Sequence, residues 1–177
     1  NSTASDNLKK QEGSYFETAF SYSFDYDKRN QKWQTSEGYR SKFTQSIPIV
    51  SDNWAMLNGY SFTKWVDFEN DLITKFDFYG RAKNSVTGDD VRVSERLHLP
   101  SKKLKGFASR AIGPVDGDDY VGGNFIAALN FTSTLPMFLQ SLETVDMRFF
   151  VDAANVWGVD YRDNYDDSNK IRSSTGI

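Results

Sequence analysis

The sequence predicts an all-β protein, an antiparallel meander of long strands whose form fits a transmembrane β-barrel. Three observations predict it. Apolar and polar residues alternate with a period of two along most of the chain, as they do on a strand with one apolar and one polar face. The periodic runs are joined by short polar turns, the pattern of neighbouring antiparallel strands. Aromatics make up 15% of residues, mostly the 14 Phe and 9 Tyr, types that favour strands and membrane interfaces. The only helix-like stretch is a possible turn near 136–142.

The elements follow in order. In GSYFETAFSYSFDYD, Phe16, Phe20, Tyr22, Phe24 and Tyr26 share one face, with Glu17, Ala19, Ser21, Ser23 and Asp25 on the other. In GYRSKFTQSIPIV, Tyr39, Phe43, Ile47 and Ile49 alternate with Arg40, Lys42, Thr44 and Ser46. In NWAMLNGYSFTKWVDF, Trp54, Met56, Tyr60, Phe62 and Val66 oppose small or polar residues, with Leu57 and Trp65 as exceptions. In DLITKFDFYGRA, Leu72, Phe76 and Phe78 alternate with Asp71, Lys75, Asp77 and Arg81, while Ile73 and Tyr79 break the pattern. After a long loop, Phe125, Leu129, Phe131 and Leu135 form one face, then Val145, Met147, Phe149, Val151 and Trp157 oppose Asp146, Arg148, Phe150, Asp152 and Ala154. IRSSTGI begins a last strand, for about seven in all.

Several runs are about 11–13 residues long, against about 5–6 for an average strand and about 9–11 for a membrane barrel strand. Aromatics sit near the run ends at Tyr26, Tyr39, Trp54, Trp65, Tyr79 and Trp157, as in an aromatic girdle. A soluble β-sandwich, whose aromatics pack one core, is the alternative on pattern alone. The charges on the polar face fit a wet lumen or bulk solvent equally well. The charge-free stretch 125–142 contains Asn130, Thr132, Ser133, Thr134, Pro136 and Gln140, too polar to span a bilayer as a helix.

Composition excludes some functions. A net charge of −3 provides no basic field for nucleic acid. There is no cysteine, so no disulfide framework and no thiolate chemistry. His98 is the only histidine, too few for a histidine-rich metal site, and it reads as a plain strand-end residue. The acidic runs at 89–90, 116–119 and 163–167 lack the ligand spacing of a twelve-residue calcium loop and read as solvated turns. Glu95 and Arg96 read as a structural ion pair. No nucleophile motif and no phosphate-cradling glycine motif stands out.

The loop itself, KKLKGFASRAIGPVDGDDYVGGN, is rich in glycine yet carries Leu104, Phe107, Ile112 and Val121, which a solvated loop does not need. VSERLHLPSKKLKGF, AIGPVDGDDYVGGN and RFFVDAANVW together resemble the C-terminal barrel of the BamA outer-membrane insertase family, with TamA and the two-partner secretion transporters as sister families. The motifs lie in family order over at least residues 91–177.

The resemblance implies a barrel of about sixteen antiparallel strands, an even number as in single-chain bacterial barrels. Residues 1–177 would be a partial C-terminal barrel domain, with the early strands, periplasmic POTRA domains and final strands outside it. A long loop at about 99–123 would fold into the lumen. Leu104, Lys105, Gly106 and Phe107 take the loop-tip motif, and Phe150 and Asp152 take the inward Phe-x-Asp motif. Ile112, Gly113, Pro114, Asp118, Asp119, Gly122, Gly123 and Asn124 match the loop flank. Lys105 would pin the tip to Asp152 and Phe107 would plug an inner pocket.

Lys105 stands where the family has arginine, replacing a planar fork by a point charge, so the pair is expected to be weaker and less oriented. Ala154 stands where glycine is frequent. The implied function is folding and insertion of outer-membrane barrels, with no covalent chemistry and no cofactor. Implied partners are outer-membrane lipids, unfolded barrel clients and accessory lipoproteins acting through POTRA domains. A TamA-like insertase or a secretion pore is the nearest alternative, and a soluble sandwich binding module is the alternative of another class.

Overall fold

The structure is a computed structural model and describes residues 9, 12–68, 72–134, 147–160, 165–166 and 170–177. The sequence expectations for Asp71, Leu135, the turn at 136–142, Val145, Asp146 and most of the acidic run at 163–167 lie outside those residues. The strands are β1 (Glu17–Asp27), β2 (Gly38–Ser51), β3 (Ala55–Asp67), β4 (Ile73–Ser85), β5 (Val115–Asp116), β6 (Asp119–Tyr120), β7 (Phe125–Thr134), β8 (Arg148–Trp157), β9 (Tyr165–Asp166) and β10 (Arg172–Gly176). Seven of them form one sheet in the order β1-β2-β3-β4-β7-β8-β10, each antiparallel to its neighbour. This is the predicted meander, and no helix among the described residues is long and apolar enough to cross a membrane.

Alternation sets which face is which. Phe20, Phe24, Tyr26, Ile49, Tyr60, Phe76, Leu129, Phe131 and Val151 are exposed on the outer side. Among the described residues no second layer covers that side, which removes the sandwich reading: a sandwich buries its apolar face against another sheet. Phe24 is 69% exposed and Phe20 57%, a wide aromatic surface that water would not tolerate and hydrocarbon would.

The inner side carries the charges. Arg40 pairs with Asp25 at 2.5 Å across β1 and β2, and Thr63 on β3 donates to Asp77 on β4 at 2.7 Å. Two expected girdle residues belong to this side. Trp65 faces Lys75 in register and carries the Arg29 guanidinium 5.7 Å from its ring centre. Tyr79 packs under the long loop. Their positions already broke the alternation in sequence, and inward placement is the physical reason.

The connection from β4 to β7 is more ordered than a plain loop. It contains two short 3-10 turns at Val93–Glu95 and Ser101–Lys103, and the β5–β6 hairpin, which joins β9 in a small three-stranded sheet. It folds back over β7 and β8. There Leu99, Leu104 and Ile112 bury against Ile126, Ala128, Ala154 and Val156, with Tyr79, Leu97 and Phe107 around them. The main buried apolar cluster therefore lies between loop and wall, and it explains the apolar residues of the loop.

Candidate functional site: a loop docked on the inner wall

Strand parity brings Phe150 and Asp152 to the inner side of β8, and the loop tip lies over them. Asp152 is fully buried. It accepts a hydrogen bond from the Lys105 backbone N–H at 3.2 Å. The Lys105 Nζ donates to both of its oxygens, at 3.0 Å and 3.3 Å. The same ammonium lies 4.1 Å from the Phe150 ring centre, close enough for a cation–π contact. A lysine thus meets both the carboxylate and the ring, through one charged point in place of a fork.

Asn130 on β7 completes the arrangement. Its Nδ2 donates to Asp152 Oδ1 at 2.9 Å and to the Lys103 carbonyl at 2.7 Å. Sequence reading took Asn130 only as an interruption of an apolar stretch. Its parity, between outward Leu129 and Phe131, was the available signal that it faces in.

The deepest tip residue is Leu104, at 1% exposure, whereas Phe107 is only partly buried at the cluster's margin. Leu104 and Phe107 thus meet the same cluster from either side of a turn at Gly106, where φ is +81°. Replacing Leu104 by Ala is expected to cost about 2–5 kcal/mol in loop docking, the range for a buried Leu truncated to Ala. Thermal unfolding of the membrane-embedded protein reads it.

The flank residues divide. Ile112, Gly113 and Pro114 are buried, with Gly113 against Val156. Gly122, Gly123 and Asn124 close the loop's exit. Gly123 and Leu97 exchange backbone hydrogen bonds of 2.8 Å and 3.0 Å. Asn124 donates to Asp160 at 2.7 Å, and Asp160 also accepts from the Val91 N–H at 2.8 Å. Asp118 and Asp119 do not join the site: both are exposed at the turn of the β5–β6 hairpin.

At the loop's entry, Glu95 pairs with Lys83 at 3.0 Å and with Arg92, while Arg96 donates from Nε to the Val91 carbonyl at 3.2 Å. Glu95 thus takes part in structural ion pairs to β4 and to the preceding turn. Arg92 also lies 3.8 Å from the Tyr15 ring centre, tying the loop base to the segment before β1.

His98 is half-buried beside Gly122, whose added Cβ would come within 3.0 Å of its ring. Burial holds its imidazole below the ordinary histidine range, and the Arg110 charge adds to this. The folded state then binds fewer protons than the unfolded one. Loop stability is complete above about pH 6.5, the ordinary histidine value, and falls as pH drops from there through the lowered value. Proteolysis of the loop is expected to quicken between pH 7.5 and pH 5.5, and His98→Gln to remove that dependence.

The model of the Omp85 superfamily domain matches residues 1–177. The chain belongs to the Omp85 superfamily. It is 27% identical over 185 residues to the outer membrane protein assembly factor BamA of Neorickettsia risticii (strain Illinois), an alignment that covers 98% of this chain and 24% of that protein. In fold it is similar to the crystal structure of BamA from Haemophilus ducreyi lacking POTRA domains 1–3, with a TM-score of 0.71 and 21% identity over 89% of this chain and 35% of that one. The chain spans about a quarter of the length of the curated relative it matches. The sheet is a BamA-like barrel region, and its place is the outer membrane of a Gram-negative bacterium.

Proposed function

We propose that the protein containing this chain folds and inserts β-barrel proteins into the outer membrane, as a BamA-type assembly factor. The observation that carries the reading is the similarity to a BamA along 98% of this chain, loop and wall together. The chain would be the C-terminal part of the barrel, completed by strands outside residues 1–177 and preceded by POTRA domains that recruit accessory lipoproteins. No covalent step is required. An imperfectly closed barrel offers an edge strand on which an incoming strand can pair, and the short seam disturbs the bilayer locally.

In this reading the docked loop holds the wall in shape. Lys105, Leu104 and Gly106 form the tip, Asp152, Phe150 and Asn130 its seat, and Phe107 the margin.

The test uses the full-length protein in liposomes, offered a urea-unfolded outer-membrane barrel. Faster appearance of folded, protease-resistant client than in empty liposomes is expected, with Lys105→Ala reducing the gain. Formation of a stable barrel with no acceleration would overturn the insertase reading in favour of a secretion pore.

A further inference from the structure

Of the lysines at 102, 103 and 105, only Lys105 brings its side chain to the contact described above. Lys103, two residues earlier, forms an ion pair with Asp77 on β4, and its ammonium lies 5.1 Å from the Tyr79 ring centre. Asp77 is 7% exposed and is also bonded by Thr63 of β3. The register makes this more than a second surface pair. Asp77 is directly opposite Asn130, and Asn130 is directly opposite Asp152. Three polar residues thus stand in one inward row, one on each of β4, β7 and β8.

The tip lies across that row. Adjacent strands are about 4.8 Å apart, so β4 and β8 are about 9.6 Å apart. Residue 104 is extended, with φ −151° and ψ 100°, and an extended chain sets residues i and i+2 about 6.4–6.8 Å apart. Two flexible lysine stems cover the difference. Lys103 reaches the carboxylate on one side, Lys105 reaches the carboxylate on the other, and the Asn130 amide holds the Lys103 carbonyl between them at 2.7 Å.

We propose that Lys103 and Asp77 form a second anchor, so that the tip works as a crossbar fixing β4, β7 and β8 at one level of the wall. The two lysines neutralise the two buried carboxylates, and each is needed for the tip to lie flat. A tip held only at Asp152 could pivot on β8. A tip held at both ends cannot, and it fixes the curvature of a three-strand segment. The proposal does not depend on the insertase reading, because its readout is release of the loop and not insertion of a client, so either can fail alone.

The test uses the full-length protein in liposomes. Ala128→Cys provides a reporter on the wall, since this segment has no native cysteine and position 128 is buried beneath the loop. The rate of reaction with a membrane-impermeant maleimide measures how often the tip lifts. Adding Lys103→Gln or Asp77→Asn is expected to raise that rate at least about tenfold, and the two together should do no more than either alone, as for partners in one contact. Effects that multiply, or rates within about twofold of the reporter alone, would overturn the crossbar. If a single change leaves a charge that prevents folding, the neutral pair Asp77→Asn with Lys103→Gln decides. Its barrel, recognised by heat-modifiable migration, must label fast. Slow labelling of that folded pair also overturns the proposal.

Discussion

Replacing Lys105 by Ala is expected to destabilise the docked loop more than replacing Asp152 by Asn, and the second change is expected to rescue part of the first. The reason is the asymmetry of burial. The Lys105 side chain is 45% exposed and its partner carboxylate 0%. Without Asp152, the ammonium can turn to water. Without Lys105, a carboxylate remains sealed in the wall with two neutral donors, the residue 105 backbone N–H and the Asn130 amide. Breaking a buried pair by removing one partner is strongly destabilising because of the charge left behind. The half-exposed lysine places this case at the low end, about 2–3 kcal/mol.

Asp152→Asn keeps the shape and one acceptor oxygen, which serves one of the two neutral donors, and leaves no buried charge, at a cost of about 1 kcal/mol. The double variant should therefore be more stable than Lys105→Ala alone. Lys105→Arg should remain docked, since a guanidinium can bridge both oxygens and lie on the Phe150 ring. Urea unfolding in liposomes and loop proteolysis read the series. A Lys105→Ala protein as stable as Asp152→Asn would show that the ion pair does not hold the tip. A charge reversal of the pair is a poorer test. An arginine at 152 cannot accept the backbone N–H of residue 105, so failure to rescue would say little about the ammonium.

Much of the fold is legible in the sequence because a half-lipid, half-lumen sheet imposes the strictest alternation a chain can carry. Phe20, Phe24, Leu129 and Phe131 fall outward by parity alone, and Asp77, Asn130 and Asp152 fall inward. The residues that broke the pattern were informative in a way periodicity does not decode. Tyr79 and Trp65 sit on the lumen face because a loop and an arginine cover them there. The same limit explains the tip. Its motif placed Lys105 near Asp152, but nothing local shows that Leu104 is the deepest tip residue, that Lys103 reaches β4, or that Asn130 joins the two carboxylates. Those facts depend on register between strands distant in sequence, 53 residues apart for Asp77 and Asn130. The short β5–β6 hairpin was hidden for another reason. Strands of two residues give no period to detect, and the glycines around them read as loop.

Gly123→Ala is expected to have the largest effect of any single methyl added to the loop. A Cβ at Gly123 would lie 2.5 Å from the Trp157 carbonyl oxygen, 2.9 Å from its carbonyl carbon and 3.0 Å from its nitrogen. All three are backbone atoms of β8, so no side chain can swing aside. Nor can the loop retreat, because Gly123 is bridged to Leu97 on its other side and Asn124 is bonded to the Gly158 carbonyl at 2.8 Å. The methyl must therefore separate the loop's exit from the wall or break the bridge that closes its two ends. Forced overpacking in a well-packed site costs about 1–3 kcal/mol, and the rigid neighbours place this one at the top of that range. Gly106→Ala provides the contrast. Nothing lies within 4 Å of its Cβ position, but φ is +81°, so it meets only backbone strain of about 1–2 kcal/mol. Both variants are made in the full-length protein, and the heat-modifiable fraction and midpoint of thermal unfolding are compared. Gly123→Ala should lower both well below Gly106→Ala. Equal losses would mean that the exit is free to move and that the loop is held by its tip alone, with Asp152 and Asp77 carrying the whole attachment.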